Sequence, residues 1–164
     1  MQLQPFAILQ ALALLTLANG TPVIAKKIFG QAFALALDGG FVFFDRRPLF
    51  GRSKTIRGVV LSIFVTTVMA PLIGVDFRVG VVAAIAAMAG DLCSSFVKRR
   101  LNFPPSSQAL GIDQVPESLL PLLACRAALA LTAADIVLCV SLFLVGEIVL
   151  SRILYRAHLR DEPY

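Results

Sequence analysis

An uncharged, largely apolar stretch runs from Phe6 to Ala25, and comparable stretches recur at about 58–75, 77–97 and 118–150. A helix of roughly 20 apolar residues crosses the ~30 Å hydrocarbon core of a bilayer, with its backbone groups bonded inside the segment. Composition agrees: 58% of residues are hydrophobic, 15% are charged and the mean hydropathy is +0.84. Soluble domains run at about 45–50% and 25%. A water-soluble globule is excluded, and in 164 residues such spans leave no room for a separate soluble domain. The expectation is one membrane-embedded, all-α bundle over residues 1–164.

Charge placement sets the expected topology. The first span is followed by Lys26 and Lys27 and preceded by no positive charge. This order argues against a cleaved signal peptide, whose basic end comes first, and puts the N-terminus outside. The run of 33 residues at 118–150 is about 50 Å as one helix, too long for one untilted span. Split into two near Leu131 to Asp135, it returns Arg152, Arg156 and Arg160 to the side of Lys26, Lys27, Arg46, Arg47, Arg52, Lys54, Arg57, Lys98, Arg99 and Arg100. Then 13 of the 15 basic residues face inward. Five spans follow, with a cytoplasmic C-terminus in a cell inner or plasma membrane. Pro71 is expected to kink the outer end of the second span. The third, rich in Ala and Gly, suits close backbone approach in a bundle centre or in a homodimer.

The three cysteines lie in apolar runs without C-x-x-C spacing and read as packing residues. The single histidine, His158, belongs to a basic tail and leaves too few parts for a Ser-His-Asp triad. Asn19-Gly20-Thr21 matches a glycosylation sequon but falls inside a span. The formal charge of +5 fits basic inner loops and an anionic ligand, with no nucleic acid involved.

Two inner loops concentrate the polar residues. Residues 38–58 hold five glycines or prolines and seven charges, which brings backbone amides and cations close to something anionic. A P-loop would need Gly at positions 48 and 53, where the chain has Pro48 and Ser53. What survives is a helix N-terminus at Lys54, Thr55, Arg57 and Gly58 that favours phosphate, or a flank of snorkelling cations. At the inner end of the third span, Asp91, Ser94, Ser95 and Lys98 follow i, i+3, i+4, i+7 spacing and share one helical face. A carboxylate two turns inside the membrane costs about 2.5–3.5 kcal/mol unpaired, so Asp91 needs a polar cavity and a cation, Lys98 or Arg126. Arg126, placed within the fourth span, needs an acid or an anionic ligand in turn. Asp113, at the end of the second inner loop, reads as a helix cap or as a site acid.

Cations and carboxylates together at an inner surface suit nucleotidyl transfer. Such a site holds a divalent metal on carboxylates, neutralises phosphate oxygens with Lys and Arg, and needs no nucleophilic side chain. Mg²⁺ takes oxygen ligands and keeps several waters, so two or three Asp residues from separate loops suffice.

The motifs are specific enough to suggest a family. Asp38-Gly39-Gly40, then Arg47-x-x-Phe50-Gly51-x-x-Lys54-Thr55-x-x-Gly58, then Gly90-Asp91-Leu92-x-x-Ser95-Phe96-x-Lys98-Arg99-Arg100 and Asp113-Gln114 together resemble the CDP-archaeol synthase family. That family comprises Mg²⁺-dependent, five-span relatives of phosphatidate cytidylyltransferases, which join CTP to a dialkyl glycerol phosphate and release pyrophosphate. The resemblance implies that Asp91 and Asp113 hold Mg²⁺ with Asp38 as a third acid. It further implies catalytic roles for Lys54 and Lys98, and CTP or lipid-phosphate contacts from Gly39, Gly40, Thr55, Arg57, Ser95, Arg99 and Arg100. One departure concerns the acceptor lipid: the family pattern has a second Asp two residues after the acid-Gln pair, where this chain reads Val115-Pro116-Glu117. Competing readings are a small transporter using Asp91 and Arg126 within the membrane, and a non-catalytic membrane subunit.

Overall fold

The computed structural model describes residues 3–104, 107 and 109–156, the side chains of 154–156 excepted. His158 and Arg160, and the side chain of Arg156, fall outside this set, so the expected basic tail is not described. Five α-helices are present: α1 Pro5–Phe29, α2 Ile56–Met69, α3 Phe77–Arg100, α4 Gln114–Ala124 and α5 Ala133–Arg156. Between α2 and α3 lies one 3-10 turn, Ala70–Ile73. Among the described residues, pairing of extended backbone is limited to two isolated bridges in the first long loop. The all-helical expectation holds.

Four of these elements are long and apolar enough to cross a bilayer: Pro5–Phe29, Ile56–Ile73, Phe77–Arg100 and Ala133–Ile153. The protein is a multi-pass membrane protein. Large apolar side chains point outward, among them Phe64 at 63% and Val137 at 66% exposure, as lipid-facing surface does. Small and hydroxyl residues fill the contacts between helices. Pro22 shows why. It lacks the amide that would bond the Ala18 carbonyl one turn earlier. The Ser62 hydroxyl of α2 donates to that carbonyl at 2.7 Å, so one helix repairs its neighbour's missing bond. Gly80 of α3 is as closely approached: a Cβ there would lie 2.7 Å from Ala70 Cβ.

α3 is the central helix, packed on α2, α4 and α1. Pro71 acts as expected at the end of α2: the helix tightens into the 3-10 turn and stops at Gly74, whose φ of 73° is left-handed. Gln10 of α1 donates to the Ile73 carbonyl at 3.0 Å, bringing this turn beside the first part of α1. Gln4 lies at the same end, its backbone N–H donating to Asp135 at 3.1 Å and its side chain to the Ala130 carbonyl at 3.0 Å. The opposite end gathers the loop 30–55 and the described residues of 101–113. The main apolar core, from Ile8, Leu15, Leu122, Leu129, Ile136 and Phe143, belongs to the first end, and the polar cluster to the second.

The 118–150 run departs from its expected shape. α4 begins at Gln114 and its 11 regular residues cover about 16 Å, roughly half a hydrocarbon core. Pro121 removes one amide inside α4. The chain then turns through residues 125–132, closed by the Leu131 N–H on the Arg126 carbonyl at 2.9 Å, with Ala130 left-handed at φ 53°. The break therefore starts earlier than the Leu131–Asp135 region. What ends it is a reciprocal cap: Thr132 donates to Asp135 Oδ2 from its N–H at 2.9 Å and its hydroxyl at 2.7 Å, and the Asp135 N–H returns to Thr132 Oγ1 at 3.2 Å. Arg126 consequently sits exposed in this turn, its Nε donating to the Leu131 carbonyl at 3.3 Å. It lies at the end of the bundle remote from Asp91, which pairs with Lys54, so the expected Asp91–Arg126 pair does not form.

Candidate active site

The site is built at the loop end of α3. Gly90 lets α4 cross α3 at backbone contact: a Cβ at Gly90 would lie 2.7 Å from Glu117 Cα and would overlap the Pro116 carbonyl. The crossing places the first turn of α4 beside Asp91. From the other side, the loop preceding α2 brings Lys54, whose Nζ lies 2.5 Å and 2.7 Å from the two carboxylate oxygens of Asp91. The side chains are 22% and 23% exposed, so this ion pair is neither buried nor freely solvated. Seven residues further along α3, about 10 Å, Lys98 pairs with Asp113 at 2.7 Å. Lys98 also donates to the Ser107 carbonyl at 2.9 Å, and Asp113 accepts from the Ala109 N–H at 3.0 Å. Asp113 bonds no α4 amide with its side chain, so it is not a side-chain cap of α4.

Arg99 lies beside this second pair. It is 5% exposed, donates from Nη2 to the Pro104 carbonyl at 3.1 Å, and leaves Nε and Nη1 buried without a hydrogen-bond partner among the described residues. A buried guanidinium with open donors is costly until an acceptor arrives. Ser94 and Ser95 are buried on the same helix, and the Ser94 hydroxyl donates to the Asp91 carbonyl at 2.9 Å.

The remaining expected site residues are committed to the fold. Asp38 Oδ1 accepts from the Gly40 N–H at 3.0 Å, and Oδ2 from the N–H groups of Phe50 at 3.0 Å and Gly51 at 2.9 Å. Burial alone would raise its pKa, but the three amides outweigh it and hold the carboxyl below the usual carboxylate range. These three amides leave Asp38 little capacity for a further partner, chiefly at Oδ1. Gly39 and Gly40 take positive φ, 56° and 82°, and form this turn, so their amides do not reach outward: Gly39 donates to the Ala36 carbonyl at 3.1 Å. Thr55 caps α2 by accepting from the Gly58 N–H at 3.1 Å. Arg57 donates to the carbonyls of Gly30 and Ala32 beyond the end of α1. Arg100 is likewise held within the loops, by Asp45, Pro48 and two phenylalanine rings.

Glu147 was not anticipated. It lies midway along apolar α5, and its carboxyl hydrogen-bonds that of buried Glu117 in α4. Asp91 and Lys54 both act electrostatically on Glu117. An ionisable residue inside a span is the signal that would have found it. Cys125 and Cys139 are buried packing residues as expected, whereas Cys93 is exposed.

The family described as CarS-like, CDP-archaeol synthase, matches residues 73–164, more than half of the chain. The chain belongs to this family. Among similar proteins, the CDP-archaeol synthase of Pyrococcus furiosus is 36% identical over 107 residues, covering 59% of this chain and 60% of that protein. The CDP-archaeol synthase of Hyperthermus butylicus is 36% identical over 115 residues, 66% and 63% of the two chains. The matched part thus spans about 60% of these relatives' length. A solved structure described as an intramembrane enzyme for archaeal membrane lipids biosynthesis superposes with a TM-score of 0.70 at 26% identity. It covers 83% of this chain and 89% of that one. CDP-archaeol synthase family membership extends to the α3–α4 crossing, since the matched residues include Asp91, Lys98, Arg99, Asp113 and Glu117.

Proposed function

We propose that this member of the CDP-archaeol synthase family transfers the cytidylyl group of CTP to the phosphate of a membrane lipid, a dialkyl or diacyl glycerol phosphate, and releases pyrophosphate. The carrying observation is the placement at one end of the bundle of two Lys–Asp pairs and a buried guanidinium with open donors. In this reading the loop end faces the cytoplasm, where CTP is found, and the lipid chains enter between the helices.

The chemistry needs no covalent enzyme intermediate. An oxygen of the lipid phosphate forms a bond to the α-phosphorus of CTP as the bond to the pyrophosphate breaks. Both partners are anions, so the residues' task is to cancel repulsion and hold the line of attack. Lys54 and Lys98 each have a salt-bridged ammonium that phosphate oxygens can share. Arg99 offers Nε and Nη1 to an oxygen, completing a hydrogen-bonding set the fold leaves open.

Among the described residues no group of three His, Cys, Asp or Glu is arranged to hold a metal ion. The available donors still suit Mg²⁺, which binds nucleotides through one or two carboxylates, the rest of its shell being phosphate oxygens and water. Asp91 and Asp113, paired with separate lysines about 10 Å apart along α3, would each offer it a carboxylate, whereas most of the lone pairs of Asp38 are taken by backbone amides. Bound there, Mg²⁺ would neutralise triphosphate charge.

The test is to incubate the purified protein in vesicles with CTP labelled at the α-phosphate, Mg²⁺ and a series of glycerol phosphate lipids. Label should move into the lipid phase with one pyrophosphate released per transfer. Label that stays aqueous with every acceptor would overturn the proposal.

A further inference from the structure

We propose that Arg100 is a positioning residue: its guanidinium latches the 38–55 loop onto the end of α3 and thereby seats Lys54 on Asp91. The kinetic part of this inference rests on the cytidylyl-transfer reading, and the structural part does not.

Arg100 is clamped on both sides. Its guanidinium carbon lies 5.0 Å from the ring centre of Phe43, in the loop, and 4.7 Å from that of Phe96, one turn earlier on α3. The two rings meet edge to face at 5.5 Å and 89°. Two of its three nitrogens are engaged with the loop: Nε lies 3.0 Å from Asp45 Oδ2, and Nη2 donates to the Pro48 carbonyl at 2.7 Å. The contact is reciprocal, because Arg47 Nη1 donates to the carbonyls of Arg99 and Arg100 at the end of α3, where unsatisfied carbonyls need donors. An arginine enclosed by two rings, an acid and a carbonyl is poorly placed to receive a phosphate. The Arg100 Nη1 is buried without a hydrogen-bond partner among the described residues, as are Nε and Nη1 of Arg99, but Arg100 alone of the two is stacked between rings and paired with a loop acid.

From the latch, rigid backbone leads to Lys54. The hairpin of residues 41–49 is closed by the Phe43 N–H on the Arg47 carbonyl at 2.8 Å and the Leu49 N–H on the Phe41 carbonyl at 3.1 Å. Phe50 and Gly51 follow, with both amides on Asp38. The Lys54 N–H then donates to the Gly51 carbonyl at 3.2 Å, and the Lys54 carbonyl accepts from Leu37 at 2.8 Å. Lys54 is therefore fixed to a small folded loop rather than carried on a free strand, and the latch fixes that loop to the helix bearing Asp91. Lysine at position 100 would keep the charge but lose the planar fork and the stacking on both rings.

The experiment pairs hydrogen exchange over residues 37–55 with steady-state kinetics for the wild type, Arg100→Lys, Asp45→Asn, Phe43→Leu and the Arg100→Lys/Asp45→Asn double variant. Each single variant should speed exchange of the Phe50 and Gly51 amides. Each should lower kcat about tenfold with the KM for CTP changed less than twofold, and the double variant should be no worse than Arg100→Lys alone. A phosphate contact predicts the reverse: normal exchange, a raised KM in Arg100→Lys, and an Asp45→Asn variant that binds CTP as well as the wild type or better. That pattern overturns the proposal, as does unchanged exchange and turnover in Asp45→Asn. If Arg100→Lys does not fold, Asp45→Asn and Phe43→Leu decide the matter. A wild type that makes no CDP-lipid while its loop exchange still responds to these changes would refute the cytidylyl-transfer reading and leave the latch standing.

Discussion

Gly90→Ala puts the α3–α4 crossing under direct test. The added methyl carbon would lie 2.7 Å from Glu117 Cα and nearer still to the Pro116 carbonyl. Ordinary carbon contacts are about 3.5–4.0 Å, so the two helices must part by roughly 1 Å. The obstructing atoms are backbone, and no side-chain rotation relieves them. Overpacking of this kind costs about 1–3 kcal/mol. The functional cost should be larger, because α4 carries Glu117 and follows directly on Asp113, and a shift of ~1 Å in a reacting group lowers turnover by about a hundredfold. The assay compares label transfer from CTP into lipid with thermal unfolding in detergent. The expected outcome is a folded protein with a modestly lowered Tm and a turnover reduced by about two orders of magnitude. Turnover within twofold of the wild type with an unchanged Tm would refute the close crossing and the argument that it places the acids.

Three further outcomes follow from the same geometry. Lys54→Met leaves Asp91 without its cation and the reaction without a phosphate-facing ammonium, and should lower turnover at least a hundredfold, measured by pyrophosphate release. Arg126→Gln, in the exposed turn at the other end, should leave turnover within twofold, and a large loss would restore a role for the α4–α5 turn. The Asp38 carboxyl titrates below its ordinary value of 3.8, so its contribution to loop order is fully present above about pH 4 and is lost as pH falls through the lower, folded-state value. Exchange of the Phe50 and Gly51 amides, corrected for intrinsic rates, should accordingly show constant protection from pH 8 to 5 and lose it only below 4. Loss of protection near neutral pH would contradict the Asp38 assignment.

What was legible in the sequence follows from how each feature is encoded. Membrane spans are local: the apolar stretches gave α1, the second span and α3 nearly to their ends, and Pro71 marked where α2 tightens. The face shared by Asp91, Ser94, Ser95 and Lys98 is also local, fixed by helical spacing. Which cation meets which acid is not. Lys54 and Asp91 are 37 residues apart, and only the folded loop decides that Lys54, rather than Lys98, takes Asp91. The same non-locality hides that Asp38, Thr55, Arg57 and Arg100 fasten loops and helix ends, since the residue types suit a fastener and a ligand contact alike. The α4–α5 break had a local sign that was passed over, the Thr132-x-x-Asp135 cap, and Arg126 was drawn into a span by the apolar residues around it. Glu147 also had a local sign, an ionisable side chain within an apolar span, but its partner Glu117 is 30 residues away in the chain.

The central claim is that Asp91, held by Lys54 at the loop end of α3, is a working part of a cytidylyl-transfer site. The most direct measurement is incorporation of α-labelled CTP into lipid by Asp91→Asn beside the wild type, with thermal unfolding and the exchange pattern of residues 37–55 recorded on the same preparations. The account predicts a folded variant with a native loop and no label in lipid above background. Full incorporation by Asp91→Asn, in a protein whose wild type is Mg²⁺-dependent, would contradict it.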